Sequence, residues 1–429
     1  MSVKGATATT VERKNGAMAS AALLSTVGIG AQGVSRLIYT VLIGRTFGTE
    51  ALGHASTLLS LSIFVALLWP TAAGNTASRF LALALHRRVS DAALVRVLGR
   101  TMLASSLLLG VATVPVAMAL GNSPLVAVSA AGLVVGYGLY AYARGGRLGR
   151  HGAARVALWD SVSAAGALGL LIVVCLTGQG TWVLVPLTVG YLVFAVACLP
   201  RGNRLAGPEL EVSPVLGFAR WNVVAGLTTN GLLQLAMISA QVWAPGDAAG
   251  FFAAAFTLAT PASMLGQAVS QIVIPAFAHR ATSSSLRHRG PLSLFLAFAG
   301  GSALLFGAMV LLAPWYLPLF YPTEGDAAVP LLRFLMLGVY VFTVALIPAA
   351  LMLAAGRSRE VALSSVAGFV AGVTVMVASG PTAGVSSGSI GFLVGSTVNL
   401  VVVVLLSVGR RPSASSPDVD QSSERATLQ

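Results

Sequence analysis

The chain has 429 residues, of which 56% are hydrophobic and only 9% are charged. A soluble domain carries about 25% charged residues, so this composition excludes an ordinary soluble enzyme or binding module. The formal net charge is +13, but the basic residues cluster in alternate gaps between apolar stretches. That arrangement fits an oriented membrane protein, and we expect no nucleic-acid partner.

Twelve apolar stretches follow one another along the chain, and each can cross a hydrocarbon core that needs about 20 helical residues. Their continuous apolarity excludes a β-barrel, whose strands alternate apolar and polar side chains. The sequence therefore predicts an all-α, polytopic membrane protein with twelve transmembrane helices. The predicted spans are Ala17–Ile43, Ala51–Leu83, Met102–Leu120, Pro124–Ala143, Val156–Leu176, Trp182–Leu199, Val215–Trp243, Ala248–Ala278, Pro291–Ala313, Ala327–Ala354, Val361–Ala378 and Ile390–Val408.

The basic residues between the spans predict how the protein is oriented. The odd-numbered gaps hold one basic residue, Arg45, whereas the even-numbered gaps and the two tails are rich in arginine. Loops with an excess of Lys and Arg stay on the cytoplasmic side of the membrane. We therefore expect a multi-pass protein of the bacterial plasma (inner) membrane with both termini in the cytoplasm.

The spans divide into two halves of six, with a faint internal repeat between them. The turn Gly48–Gly53 resembles the turn Pro245–Gly250, which lies 197 residues further along the chain. Parallel repeats of this kind are a known transporter plan with a site between the halves. We expect spans 1 and 7 to face each other across a central cavity, with spans 2 and 8 beside them. The predicted segments are an N-terminal tail 1–16, an N-lobe 17–200, a cytoplasmic linker 201–214, a C-lobe 215–409 and a disordered tail 410–429.

Arg36 is the most informative polar residue within the spans. An arginine near the bilayer centre costs about 3 kcal/mol on the insertion scale, so it should face a wet cavity or a partner. Gln32, Arg36 and Thr40 are spaced by four residues and share one helix face. Either this face lines a cavity, or nearby carbonyl groups satisfy Arg36 structurally.

Further polar residues in spans 1, 2, 7 and 8 are candidate substrate contacts. Amide side chains inside a membrane also join helices, and arginines near the inner face also extend to the head groups. Both alternatives stay open for these positions. The candidates beside Arg36 are Gln32, Asn75, Arg79, Arg220, Asn230, Gln234, Gln241 and Gln271.

Other patterns in the sequence give no catalytic or cofactor site. Residues 28–33 match the dinucleotide fingerprint G-x-G-x-x-G, but they lie inside an apolar span rather than after a strand. Asp160 is interpreted as an acid at the start of span 5, and Arg144–Arg150 as an interior loop. Because no metal-ligand cluster and no nucleophile–base arrangement is evident, we expect neither an enzyme nor a cofactor.

Two segments of the first eighty residues resemble a known family. Residues 43–53, with Arg45, Gly48, Glu50 and Gly53, are similar to the turn after span 1 of polysaccharide flippases, and residues 73–79 are similar to the end of their span 2. These are Wzx-type O-antigen and exopolysaccharide exporters of the MOP superfamily, which also holds the lipid II flippase and the MATE antiporters.

The resemblance implies a function and its partners. It implies two lobes around a cationic cavity, with Arg36, Arg45 and Arg79 as basic positions for substrate binding. It also implies alternating access and a polyprenyl-pyrophosphate-linked oligosaccharide as substrate, with glycosyltransferases and a glycan polymerase as possible partners besides membrane lipids. An arginine suits an anionic head group, because its planar guanidinium holds phosphate with two hydrogen bonds. The alternatives are a MATE-like antiporter of another solute, for which we see no deep carboxylate in an early span, and a non-transporting scaffold of a glycan-assembly complex.

Overall fold

A computed structural model describes residues 30, 32–203, 212–278, 286, 288–354 and 357–409, the side chains of 264–278, 354 and 409 excepted. Helix α1 covers residues 32–47. The helices that follow it in chain order are α2 Thr49–Leu67, α3 Pro70–Arg87, α4 Ala92–Ala119, α5 Pro124–Gly149, α6 Ala153–Leu176, α7 Val185–Cys198, α8 Ser213–Gly226, α9 Leu232–Trp243, α10 Asp247–Ala278, α11 Arg289–Phe320, α12 Gly325–Ala354, α13 Ser358–Ala383 and α14 Ser387–Gly409.

The observed helices confirm the predicted fold class. Within the described residues, nine helical segments are long and apolar enough to cross a membrane, and the last of them contains both α13 and α14. The twelve predicted spans correspond in order to α1, α2 with α3, α4, α5, α6, α7, α8 with α9, and α10 to α14. The protein is an all-α membrane protein of twelve spans in two lobes.

Two spans are interrupted rather than continuous. Span 2 was predicted as one stretch, but α2 ends at Leu67 and α3 begins at Pro70. Proline lacks a backbone N–H and is favoured in the first turn of a helix, so Pro70 starts a new helix. Span 7 contains a π-helical segment, Leu227–Gly231, between α8 and α9. Such segments often occur at functional sites.

The two lobes share one packing plan. In the N-lobe α5 packs against α4 and α7, and α7 packs against α6; in the C-lobe α12 packs against α11 and α14, and α14 against α13. Each lobe has its own apolar core, which runs from Tyr39 to Cys198 in the N-lobe and mainly from Leu232 to Phe392 in the C-lobe. The faint repeat in the sequence is therefore clear in the helix packing.

The lobes meet along the helices that the repeat makes equivalent. Helix α2 packs against α9 and α10, and α3 packs against α8. A Cβ added to Gly53 would lie 2.9 Å from the backbone nitrogen of Gly250, so no side chain fits between the two helices there. These glycines are equivalent in the 197-residue repeat, and a residue that contacts its own equivalent lies on a twofold axis. The approximate axis between the lobes therefore passes between Gly53 and Gly250.

Several predicted boundaries lie outside the described residues. These are the tails 1–16 and 410–429, most of the linker 201–214, and the first part of span 1. The division into domains at these boundaries stays a prediction.

Cysteine labelling tests the topology. In a background with Cys175 and Cys198 replaced by serine, we expect cysteines at Ser123 and Gln179 to react with a membrane-impermeant maleimide from outside intact cells. Cysteines at Arg87 and Ser358 should react only after permeabilisation, because the arginine asymmetry places them inside. All four positions are exposed in the structure, so burial would not hide them. The reverse labelling at two positions would contradict the predicted orientation.

Candidate functional site

Two cavities lie beside α1. The first, here called the N-lobe cavity, has a volume of about 820 Å³ and lies between α1, α3 and α5. The second, the inter-lobe cavity, has a volume of about 480 Å³ and is lined by α1, α2, α9 and α10. Spans 1, 2, 7 and 8 thus line one cavity between the lobes, as the repeat predicts.

Arg36 lines both cavities. Its Nη2 donates a hydrogen bond to the hydroxyl of Tyr191 at 2.8 Å, and its guanidinium lies 5.7 Å from the ring centre of Tyr137. Its Nε is buried and has no hydrogen-bond partner in the described part of the chain. The partners of Arg36 are therefore neutral phenols, and no ion pair with another described residue neutralises its charge.

A buried carboxylate organises the wall of the N-lobe cavity. Asp160 is fully buried, forms an ion pair with Arg144 at 3.2 Å and accepts a hydrogen bond from the hydroxyl of Tyr140 at 2.9 Å. Gln32 donates to the backbone oxygen of Asp160 at 3.0 Å and to Ser163 at 3.3 Å. These bonds connect α1, α5 and α6, and they hold Gln32 and Arg144 at the cavity wall.

The polar wall carries a net positive charge. Arg36 and Arg144 contribute two charges to the cavity lining, and Asp160 compensates one of them. Arg144 also has a buried Nη2 without a partner among the described residues. Buried N–H groups without partners are costly, so an anion with several acceptor oxygens would complete this site. No group of His, Cys, Asp and Glu among the described residues could hold a metal ion.

Three further candidates from the sequence also line the cavities. Asn75 lies on α3 in the wall of the N-lobe cavity, two turns from the break before Pro70. Gln32 lies in the same wall, and Gln234 of α9 lines the inter-lobe cavity. Gln234 is 7% exposed, and its Oε1 has no hydrogen-bond partner in the described structure.

Arg45 lies near the C-terminal end of α1 and lines neither cavity. Its Nε donates to the carbonyl oxygen of Phe320 at 2.9 Å, and its Nη2 donates to the carbonyl of Leu319. These are the last carbonyls of α11, where a cation is favoured by the helix dipole. Close by, Thr49 donates to Glu324 at 3.0 Å. Arg45 thus joins the N-lobe to the C-lobe at the C-terminal end of α1.

The remaining candidates lie away from the two cavities or cannot be located. Arg79 is exposed and stacks on Phe218 of α8, with 4.4 Å between the guanidinium and the ring centre. Arg220 is exposed on the same helix, and Gln241 is buried within α9. Asn230 lies in the π-helical segment and donates to Thr229 at 3.1 Å. The side chain of Gln271 lies outside the described residues.

Two interpretations of the sequence are wrong at this site. Arg144 belongs to α5, which continues to Gly149 and includes most of the supposed loop. Asp160 lies well inside α6, which begins at Ala153, and it is buried rather than at a helix start. The spacing of Tyr137, Tyr140 and Arg144 by three and four residues was the available signal, because it places them on one helix face. Ending span 4 at Ala143 hid that pattern.

Comparison with known proteins identifies the fold. No protein-family model and no curated protein sequence matches the chain, but several solved structures do. A multidrug resistance MATE family transporter of the MOP superfamily, in an inward-facing conformation, aligns with a TM-score of 0.67 and 15% identity, over 89% of this chain and 97% of that chain. The lipid II flippase MurJ, in an inward closed conformation, aligns with a TM-score of 0.70 and 11% identity, over 90% and 87%.

A third structure has a related fold and a title that concerns its binding pocket. It is a MOP superfamily transporter from Pyrococcus furiosus, whose title states that reversed polarity of the binding pocket suggests a different function. It aligns with a TM-score of 0.59 and 15% identity, over 91% of this chain and 94% of that chain. At these identities the likeness concerns the fold alone. The chain thus has the fold of the MOP-superfamily transporters.

Substitution of the buried ion pair tests how Asp160 is held. Arg144→Leu leaves a buried carboxylate without its counter-charge, so we expect a loss of about 3–5 kcal/mol in stability and a lower melting temperature in detergent. The double variant Arg144→Leu/Asp160→Leu removes both charges and should recover most of the lost stability. An equal loss in the single and the double variant would contradict this description of the pair.

The contact between Arg45 and α11 predicts that Arg45 keeps the seam between the lobes closed. Thr40 lines the inter-lobe cavity, is 5% exposed, and accepts a hydrogen bond from Tyr321 at 3.2 Å. With a cysteine at Thr40 as reporter, Arg45→Ala should increase labelling by an impermeant thiol reagent from outside, since two donors to α11 are lost. Glu50→Ala alters an exposed charge in the same turn and serves as the control. Equal labelling with and without Arg45 would contradict a closing role.

Proposed function

We propose that the protein is a flippase that moves a polyprenyl-pyrophosphate-linked oligosaccharide from the cytoplasmic to the outer leaflet by alternating access. The observation that carries this proposal is Arg36, a membrane-embedded arginine at the wall of two cavities. Among the described residues its Nε has no hydrogen-bond partner and its guanidinium has no acidic partner. A pyrophosphate offers acceptor oxygens on both phosphates and negative charge, which match such a group. The fold shared with a lipid II flippase supports the proposal.

The proposed head-group site has two arginines and several amides. Arg36 and Arg144 bind the phosphate oxygens, and Gln32, Asn75 and Gln234 bind further polar groups of the substrate. Arg45 joins the lobes, and Arg79, Arg220, Asn230, Gln241 and Gln271 are left as positions for contacts with other parts of the substrate. The substrate would come from glycosyltransferases in the cytoplasm and be used by a glycan polymerase outside, so the protein works in the bacterial inner membrane.

An antiporter that exports another solute is the second candidate. The absence of a carboxylate deep in an early span argued against it in the sequence. Asp160 is a buried carboxylate of the N-lobe, although it lies in span 5, so this argument is weakened. The charge of the site still favours an anion, since Asp160 is paired with Arg144 while Arg36 is not paired. A cation as cargo would have to approach the unpaired guanidinium. A scaffold without transport would not require a cavity between the lobes.

The membrane potential favours this direction of transport. Moving one charge across 100 mV is worth about 2.3 kcal/mol. A bacterial cytoplasm is electrically negative, so the potential drives an anionic head group outward. A phosphate carrier of this kind can therefore export its substrate without a buried carboxylate that exchanges cations.

Substitution of Arg36 tests the function. Arg36→Ala should lower export of the glycan at least tenfold, measured by complementation of a flippase-deficient strain, because the phosphate loses a charged donor. The melting temperature should change little, because Arg36 makes one hydrogen bond to a neutral hydroxyl. Arg36→Lys keeps the charge but not the planar pair of donors, so partial activity is expected.

A matched control separates the loss of this site from a general loss of charge. Arg333 is exposed on α12 and lines neither cavity, so Arg333→Ala removes the same charge elsewhere. We expect normal export from that variant. Normal export by Arg36→Ala would rule out the proposed contact, and a large fall in its melting temperature would show a structural role instead.

A further inference from the structure

A third cavity lies at the opposite end of the N-lobe from Arg45. It has a volume of about 900 Å³. The C-terminal ends of α3 and α5, the turn before α4 and residues 201–203 after α7 line it. Three arginines line it, namely Arg88, Arg150 and Arg201, with Asp91 as the one acid of the lining. By the arginine asymmetry this is the cytoplasmic face.

A buried polar frame fixes the shape of this cavity. Asp91 is 6% exposed, accepts hydrogen bonds from Arg150 at 2.5 Å and from the backbone N–H of Asn203 at 2.6 Å, and donates its own N–H to the carbonyl of Asn203 at 3.3 Å. Ser90 donates to the same carbonyl at 3.2 Å. These bonds fasten the segment after α7 to the turn between α3 and α4, which fixes the backbone that carries Arg201.

Two of the three arginines have no internal partner. Arg88 and Arg201 are exposed, and neither makes an ion pair or a side-chain hydrogen bond within the described part of the chain. Asp91 compensates Arg150, so the lining has a net charge of about +2 at neutral pH. Helix dipoles explain basic residues at the ends of α3 and α5, but Arg201 lies in no helix.

The other wall of the cavity is apolar. Ala84, Leu85 and Val89 line it, and Leu85 is 51% exposed. Helix α4 starts at the cavity and carries exposed leucines further along, among them Leu108 at 71%. A ligand that has a phosphate at one end and hydrocarbon at the other matches both walls.

We propose that this cavity binds a phosphate-bearing anion, and that its natural occupant is the head group of an anionic membrane phospholipid. Arg88 and Arg201 hold the phosphate, with Arg150 beside it, while the acyl chains lie along the apolar wall. The site is separate from the cavities around Arg36 and does not depend on the proposed transport activity. Asp91 is a positioning residue, because it holds Arg150 and the backbone next to Arg201.

Lipid retention by the purified full-length protein tests this site. Native mass spectrometry would compare phosphatidylglycerol with phosphatidylcholine, added at equal concentration to delipidated protein. We expect preferential retention of phosphatidylglycerol, and at least a tenfold weaker affinity in the double variant Arg88→Gln/Arg201→Gln. The control Arg96→Gln/Arg100→Gln removes the same charge from exposed positions of α4 outside the cavity and should bind like the wild type.

The outcomes distinguish the site from a general charge effect and identify the source of the phosphate. Equal losses in the two double variants, or no loss in either, would overturn the proposal. A melting-temperature shift with inorganic phosphate that requires Arg88 and Arg201, without retention of lipid, would support the phosphate site but assign its ligand to the cytoplasm. Melting temperatures of the unliganded variants check that both fold normally.

Discussion

The ion pair between Asp160 and Arg144 is the interaction on which the candidate site depends. A carboxylate buried among membrane helices is tolerated when it is paired and hydrogen-bonded, and Asp160 has both an arginine and a tyrosine hydroxyl. Through Gln32 the same network reaches α1, which also carries Arg36. Arg36 is then positioned by Tyr191 of α7. The charged wall of the N-lobe cavity is therefore built by α1, α5, α6 and α7 together.

This arrangement explains why the charge of Arg144 is neutralised, whereas Arg36 has no acidic partner among the described residues. Asp160 neutralises Arg144 and fixes its geometry, whereas the tyrosines around Arg36 shield it from lipid without neutralising it. Tyr137, Tyr140 and Tyr191 pack with ring centres 4.9 to 6.0 Å apart, which gives Arg36 a rigid aromatic support. An arginine kept in place in this way is available to an anion at little cost in side-chain entropy.

The sequence predicted the parts of the fold that follow from hydrophobicity, and it missed those that depend on contacts between distant spans. The number of spans, the two lobes and the four spans around the central cavity follow from apolar length and a weak repeat. The break at Pro70 has a local cause that the sequence does show, because a proline inside a span interrupts its helix. The apolar stretch on both sides still belongs to one span. The pairing of Asp160 with Arg144 joins two helices, and neither residue is informative by itself. Arg45 is a candidate through the family resemblance of its turn. Its contacts with the backbone carbonyls of α11 could not be predicted, because the identity of residues does not reveal which carbonyls lie nearby.

The approximate twofold axis between Gly53 and Gly250 limits how the lobes can move. At this point the helices α2 and α10 approach too closely for any side chain. The seam between the lobes is therefore closed by backbone packing as well as by Arg45 and Thr49. The glycine contact and the hydrogen bonds of Arg45 and Thr49 are non-covalent. They lie close together, so a rotation of the lobes would break them together. Arg36 lies inward of the seam and borders both the cavity within the N-lobe and the cavity between the lobes. Arg36 is therefore the side chain that the two cavities share, and the seam separates them from the end of the molecule where Arg45 lies.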